Sequence, residues 1–234
     1  MARSGDIIEH PVTGETFTFL ETAEETGGEY VRIELRVRPR GFVAAPHIHP
    51  RIEETFEIRS GTFALVVDGK EGRVGAGEGA TVPVGTPHAW WNAGDEEGVA
   101  IVEFRPALKT EEFFETFFGL AQDGKVSPKT ELPNLLWLAG IFRAYSDDFA
   151  YLARPPLPVL RAIFAPLGAV VGLLGYRVPY PYPYTRRGET RGRRGCGGRS
   201  PRGDEPPSRS SGPRMAAQRQ RRSSSRSWKE RRDG

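Results

Sequence analysis

Cysteine is nearly absent from this 234-residue chain: its one thiol is Cys196, close to the C-terminal end. No disulfide can form within a single copy, and no thiolate metal site can exist before residue 196, which fits a reducing compartment. Histidine is scarce as well, with four residues, His10, His47, His49 and His88. Long apolar runs are missing. The apolar region Leu157 to Gly175 is broken by prolines, glycines and Arg161, and its longest uncharged run, Ala162 to Gly175, has 14 residues. A spanning helix needs about 20, so no membrane span is expected, and a helix docked on the protein is favoured over an interfacial anchor. The segment Met1 to His10 is too polar for a signal peptide, so a cytoplasmic location is expected.

The net charge of +3 conceals two unlike parts. Residues 1–185 hold 17 Lys+Arg against 25 Asp+Glu, and residues 186–234 hold 16 against 5. An acidic body has no electrostatic reason to bind nucleic acid, so any such binding would have to come through the basic tail. That tail is Arg, Gly, Ser and Pro without periodicity. It cannot bury a core and is expected to be disordered over 186–234, either as an Arg-Ser arm or as an adventitious extension.

What is present is concentrated between Gly41 and Asn92. His47 and His49 form an HxH pair, and alternation along a strand puts both imidazoles on one face of a sheet. Beyond Pro50 the chain alternates again, with Glu54, Phe56 and Ile58 sharing the apolar face and Glu53 the other. An ionised carboxylate facing a core is costly unless it is paired or coordinating. Glu54 is therefore the carboxylate that belongs with inward histidines, and Glu53 is read as a solvent-facing charge. His88 follows the turn Val82-Pro-Val-Gly-Thr-Pro87 and is the third imidazole candidate.

The pattern Gly41-x5-His47-x-His49-x4-Glu54-x6-Gly61, followed by Gly77-x5-Pro83-x-Gly85-x2-His88-x3-Asn92, resembles both motifs of the cupin superfamily, with 15 residues between them. The resemblance implies a mainly β fold, a small antiparallel jelly-roll barrel over residues 6–106. It also implies one divalent transition metal ion, Fe, Mn, Ni, Cu or Zn, held by His47, His49, Glu54 and His88. That superfamily spans oxygenases, isomerases, decarboxylases, storage proteins and sensors, so fold leaves function open.

Alternation places Trp90 on the face of His88 and Asn92. Phe56, Ile58, Phe63 and Trp90 are expected to line a mostly apolar pocket or, equally, to fill the barrel. An apolar pocket beside a metal with an open coordination position suits a dioxygenase-like enzyme acting on a small, largely apolar molecule, with Glu54 as a possible base. No inward acid, base or nucleophile is expected apart from the ligands, which weakens an isomerase or epimerase reading. A non-catalytic binding or sensing barrel is the alternative.

Around this region the pattern is regular. Two short strands turning at Pro11 to Gly14 are expected early, with His10 as a surface or edge residue. Val31, Ile33, Leu35 and Val37 alternate with charged residues and mark a strand with one buried face. After Pro106 the period becomes helical: one amphipathic helix over Thr110 to Gln122 and a second from Asn134 to about Leu152 make a C-terminal α-helical extension over 107–178. Its aromatic stripes are expected to pack on the barrel or on a partner subunit, and the resemblance implies a homodimer.

Overall fold

The computed structural model describes residues 2–41 and 45–184; the expected disordered tail over 186–234 lies outside the described residues. Ten strands follow one another in the first half: β1 (Ile7–His10), β2 (Glu15–Glu21), β3 (Val31–Val37), β4 (His47–Ile48), β5 (Glu53–Ser60), β6 (Thr62–Val67), β7 (Lys70–Gly75), β8 (Gly79–Val82), β9 (His88–Asn92) and β10 (Gly98–Arg105). A short eleventh, β11 (Tyr151–Leu152), arrives from the C-terminal half. All pair antiparallel, in two sheets ordered β1-β2-β3-β10-β5-β8 and β11-β4-β9-β6-β7. Among the described residues the fold is mainly β, with three helices.

Alternation sets which side chains fill the space between the sheets. On β3, Val31, Ile33, Leu35 and Val37 are all but inaccessible, and β5 does the same with Glu54, Phe56 and Ile58. Burying a side chain of this size stabilises by about 1.5–3 kcal/mol. The β6–β7 turn uses Asp68 and Gly69, both at positive φ, as a two-residue hairpin of matching twist requires. Gly61 has φ +82°, and a Cβ there would lie 2.9 Å from the Gly98 backbone, so its place at the end of β5 admits no side chain.

The second half lies over the barrel rather than beside it. Helix α1 (Thr110–Gln122) packs on β1 and lays its phenylalanines against β2: the Phe17 ring is 4.7 Å from both Phe114 and Phe118. Helix α2 (Leu135–Tyr145) starts at Asn134, whose side chain accepts from the Leu136 and Trp137 N–H groups. It ends earlier than the periodicity suggests. The run Ser146-Asp147-Asp148 competes for backbone hydrogen bonds, and the chain turns at Phe149 and extends into β11. The expected helix to Leu152 is thus corrected to a helix, a turn and a strand.

Helix α3 (Leu157–Val171) docks on α2 through Leu160, Phe164, Gly168 and Val171, with Arg143 Nη1 donating to the Gly168 carbonyl at 2.8 Å. No helix among the described residues is long and apolar enough to cross a membrane. Residues 176–184 then return as a tyrosine strap across α1. The Tyr180 N–H donates to Thr116 Oγ1, the Glu9 N–H to the Tyr182 hydroxyl, and the Tyr184 hydroxyl to Glu115.

His10 is on an edge strand, β1, as expected, but it is not at the surface. It is 1% exposed, stacked 5.4 Å from the Phe117 ring with Phe118 edge-on at 5.1 Å. The reason is phase. His10 shares the inward face of β1 with Ile8, and α1 covers that face.

Candidate metal centre

Four side chains from three strands and one strand end converge between the sheets. His47 leads β4, His49 follows it directly, Glu54 is the second residue of β5 and His88 opens β9. Register brings them together: His47 pairs with His88, while Glu54 sits opposite Phe104 on one neighbour and Val82 on the other. Their ligand atoms all lie within 4.8 Å of one another.

Each imidazole is oriented by a backbone carbonyl. His47 Nδ1 donates to Ala45 at 2.9 Å, His49 Nδ1 to Phe149 at 2.7 Å and His88 Nδ1 to Thr86 at 2.9 Å. A neutral ring that donates through Nδ1 keeps its lone pair on Nε2. All three Nε2 atoms point at the cluster: His47 and His49 Nε2 are 3.2 Å apart, and Glu54 Oε2 is 2.8 Å from His88 Nε2 and 3.3 Å from His49 Nε2. Four acceptor atoms facing one another in a buried pocket repel unless a cation or a proton stands among them. This donor set, three imidazole nitrogens and a carboxylate with carbonyls fixing the rings, suits a first-row divalent ion.

The titration behaviour follows from the same geometry. Burial lowers His47 well below the ordinary histidine value, and the charges of His88 and His49 lower it further. Burial opposes charge on Glu54 as well, but hydrogen bonds from His49 and His88 outweigh it and hold the carboxyl below the usual carboxylate range. At His88 burial pulls downward, yet the Glu54 carboxylate wins and the value is raised. A cation entering among these atoms would displace any proton shared between His88 and Glu54.

Beside the cluster opens a cavity of about 270 Å³. His47, His49, Glu54 and Trp90 reach it from the barrel, while Phe113, Phe149 and other residues of the extension close it from outside. Its walls are mainly apolar. Of the aromatics expected in a pocket, only Trp90 is on this wall. Phe56 and Phe63 stand behind Trp90, with ring centroids at 4.3 and 5.3 Å, and Ile58 is 1% exposed in the core. Phe56, Ile58 and Phe63 thus face inward and fill the barrel, the other of the two expectations, while the free space lies between the cluster and Trp90 on one side and residues of the helical extension on the other.

The cavity holds a feature that was not expected from sequence, an acidic group apart from the ligands. Glu15 and Thr13 are on its wall, and Glu15 is 4% exposed. The signal existed: Glu15 is in phase with Phe17 and Phe19 on the buried face of β2. The role of Phe149 had no such signal, because it lies 100 residues from the histidine whose ring it orients.

The cupin domain family model matches residues 33–104. No curated protein matches. Solved structures similar to this chain include a sugar phosphate isomerase from a cupin superfamily from Silicibacter pomeroyi, at 21% identity and TM-score 0.36, the alignment covering 40% of this chain and 61% of that one. KdgF from Halomonas sp. aligns at 15% identity and TM-score 0.40, over 45% of this chain and 90% of its own. A predicted oxalate decarboxylase from Thermotoga maritima aligns at 18% identity and TM-score 0.40, over 45% and 98%. The chain thus spans less than two thirds of the Silicibacter protein, and none of these likenesses bears on its activity.

Proposed function

With a cupin domain at residues 33–104, we propose that this chain is a metal-dependent, dioxygenase-like enzyme that holds one divalent ion on His47, His49, Glu54 and His88 and acts on a small, largely apolar molecule. The observation that carries this reading is the convergence of three Nε2 lone pairs and one carboxylate oxygen beside an aromatic-walled cavity. A first-row ion bound there would supply Lewis acidity and redox chemistry.

The chain's own residues do the rest. The carbonyls of Ala45, Phe149 and Thr86 hold the three rings in one tautomer, so ligand geometry is set before any ion arrives. His47, His49 and Glu54 front the cavity, whereas His88 is not on its wall, so a substrate meets the site from the side of the first three. Trp90, backed by Phe56 and Phe63, gives that side a rigid apolar face. Phe149 of the extension, 4.4 Å from Phe113, and Phe104 of β10 both pack against the His49 ring and give that side of the site an apolar cover. Glu54, if released from the ion, is a base beside the substrate. The alternative is a binding or sensing barrel that uses the same ion to orient a ligand. It is favoured by the same mainly apolar cavity and differs only in lacking turnover.

The test is elemental analysis of the purified full chain beside a His47→Ala, His88→Ala double variant, followed by oxygen-uptake measurements with apolar chelating compounds. Near-stoichiometric Fe, Mn, Cu, Ni or Zn that the double variant loses supports the site. Uptake with a chelating substrate supports the enzyme, and metal without uptake favours the binding barrel. No metal after reconstitution removes the reading.

A further inference from the structure

The cavity carries a second polar station well away from the metal ligands in the fold. Glu15, on β2, is separated from Glu54 on β5 by β3 and β10 in the sheet order. Ring-to-ring contacts trace the wall between them: His49 to Phe149 at 4.8 Å, Phe149 to Phe114 at 5.4 Å and Phe114 to Phe17 at 4.7 Å. Glu15 follows two residues from Phe17 along the strand, adding about 7 Å. The contour is thus about 22 Å, an upper bound on the straight-line separation.

The station is built rather than incidental. The β1–β2 turn folds back so that the Thr13 N–H donates to His10 Nδ1 at 3.1 Å, and the Thr13 hydroxyl lies 2.9 Å from that same nitrogen. The hydroxyl donates to Glu15 Oε2 at 2.6 Å. Among the described residues Thr13 is the one hydrogen-bond partner of this carboxyl, so Oε1 has no partner while the residue lines the cavity. The nearby charges are Glu131, which also lines the cavity, and Arg38, whose guanidinium pairs with Glu131 at 3.8 Å and makes no ion pair with Glu15. A buried carboxyl with no cation of its own is retained as the neutral acid. Burial, opposed by the Thr13 hydrogen bond and by Arg38 and reinforced by Glu131, pushes Glu15 up to about 8. A neutral carboxyl accepting from Thr13 on Oε2 carries its own proton on Oε1, the oxygen without a partner among the described residues, on the wall of a mainly apolar cavity.

We propose that Glu15, positioned by Thr13 and His10, is the distal anchor of the ligand site, donating a hydrogen bond to a carbonyl or hydroxyl oxygen at the far end of an elongated apolar molecule. That the molecule's other end reaches the four-residue cluster rests on the function proposed above; the anchor itself does not. An apolar cavity of about 150 Å³ takes the six carbon atoms of benzene, so one of about 270 Å³ takes on the order of a dozen non-hydrogen atoms. The ligand class is therefore a medium-length chain or a one-ring compound with a short tail, oxygenated at both ends.

The test uses the full chain loaded with Fe(III) and a series of catechols with linear 4-substituents of increasing length, ending either in a methyl group or in a methyl ketone. The catecholate-to-iron absorption band reports the head, and the difference between the two tails reports the distal end. In the wild type one tail length is expected at which the ketone binds about tenfold or more tightly than its methyl counterpart. Glu15→Met is expected to abolish or reverse that preference, and Glu15→Gln, whose amide can still donate, to keep it. No preference at any length, or an equal loss for both tails in Glu15→Met, overturns the anchor. If no catechol gives the band, the cluster reading fails on its own. The anchor is then read on the metal-free chain, from displacement of 1-anilinonaphthalene-8-sulfonate by 2-heptanone against heptane, where equal displacement by both overturns it.

Discussion

Replacing Glu15 by Gln should change how stability depends on pH, and the size of the change follows from burial. In the folded chain the Glu15 carboxyl is pushed from 4.5 to about 8. Below pH 4.5 it is neutral in both states, and the fold keeps its full advantage. Between 4.5 and 8 the unfolded chain gives up a proton that the folded chain retains, so stability falls as pH rises. Each pH unit in that window removes about 1.4 kcal/mol, for a total on the order of 5 kcal/mol. His10 works in the opposite sense. Burial lowers it from 6.5 to about 4, so the unfolded chain binds the extra proton in that window and stability rises with pH there. Where the windows overlap, between 4.5 and 6.5, the two slopes nearly cancel. From 6.5 to 8 His10 no longer offsets Glu15, whose contribution should fall by about 2 kcal/mol.

His47, Glu54 and His88 are shifted as well, so the informative quantity is the difference between wild type and Glu15→Gln, measured by urea unfolding in the presence of a chelator at half-unit steps from pH 5 to 9. That difference should fall steadily with pH and level off above about 8. Parallel curves for the two proteins would show that Glu15 is ionised in the fold at neutral pH, and the burial argument would then be wrong.

Other perturbations follow from single contacts. Glu54→Gln removes the only carboxylate of the cluster and should lower metal affinity, measured by competition with a chromophoric chelator, by more than the 10- to 100-fold typical of losing an outer partner. Asn92 is fully buried, donates to the carbonyls of Val37, Arg38 and Glu96 and accepts from the Gly94 N–H. Asn92→Ala strands those groups and should cost about 2–4 kcal/mol in chemical denaturation. A Cβ at Gly119 would lie 2.5 Å from the Pro181 carbonyl oxygen, so Gly119→Ala should push the tyrosine strap off α1. The expected loss is about 1–3 kcal/mol, with faster hydrogen exchange at Tyr180, whose N–H is held by Thr116.

The cluster of candidate ligands was legible because its geometry is local. An HxH pair and the phase of β5 each fix a face within a few residues, and the turn before His88 places the next strand. Helix α1 was legible for the same reason, its stripe repeating at 3.6 residues between clear ends. His10 and Glu15 were half legible. Their phase is written in β1 and β2, but whether that face meets water or a helix depends on α1 packing there. The second helix was misjudged at its end because apolar residues continue in register past Tyr145, although the backbone does not.

Sequence by itself determined the barrel, its inward faces and the four candidate ligands, since strand period and motif spacing act over short stretches of chain. Tertiary structure decided the rest. The Phe149 carbonyl turns the His49 ring, β11 extends the sheet beside β4, and the free space opens under the helices instead of around Phe56, Ile58 and Phe63. These depend on segments about 100 residues apart meeting with a particular offset, and no local period in the chain encodes that offset.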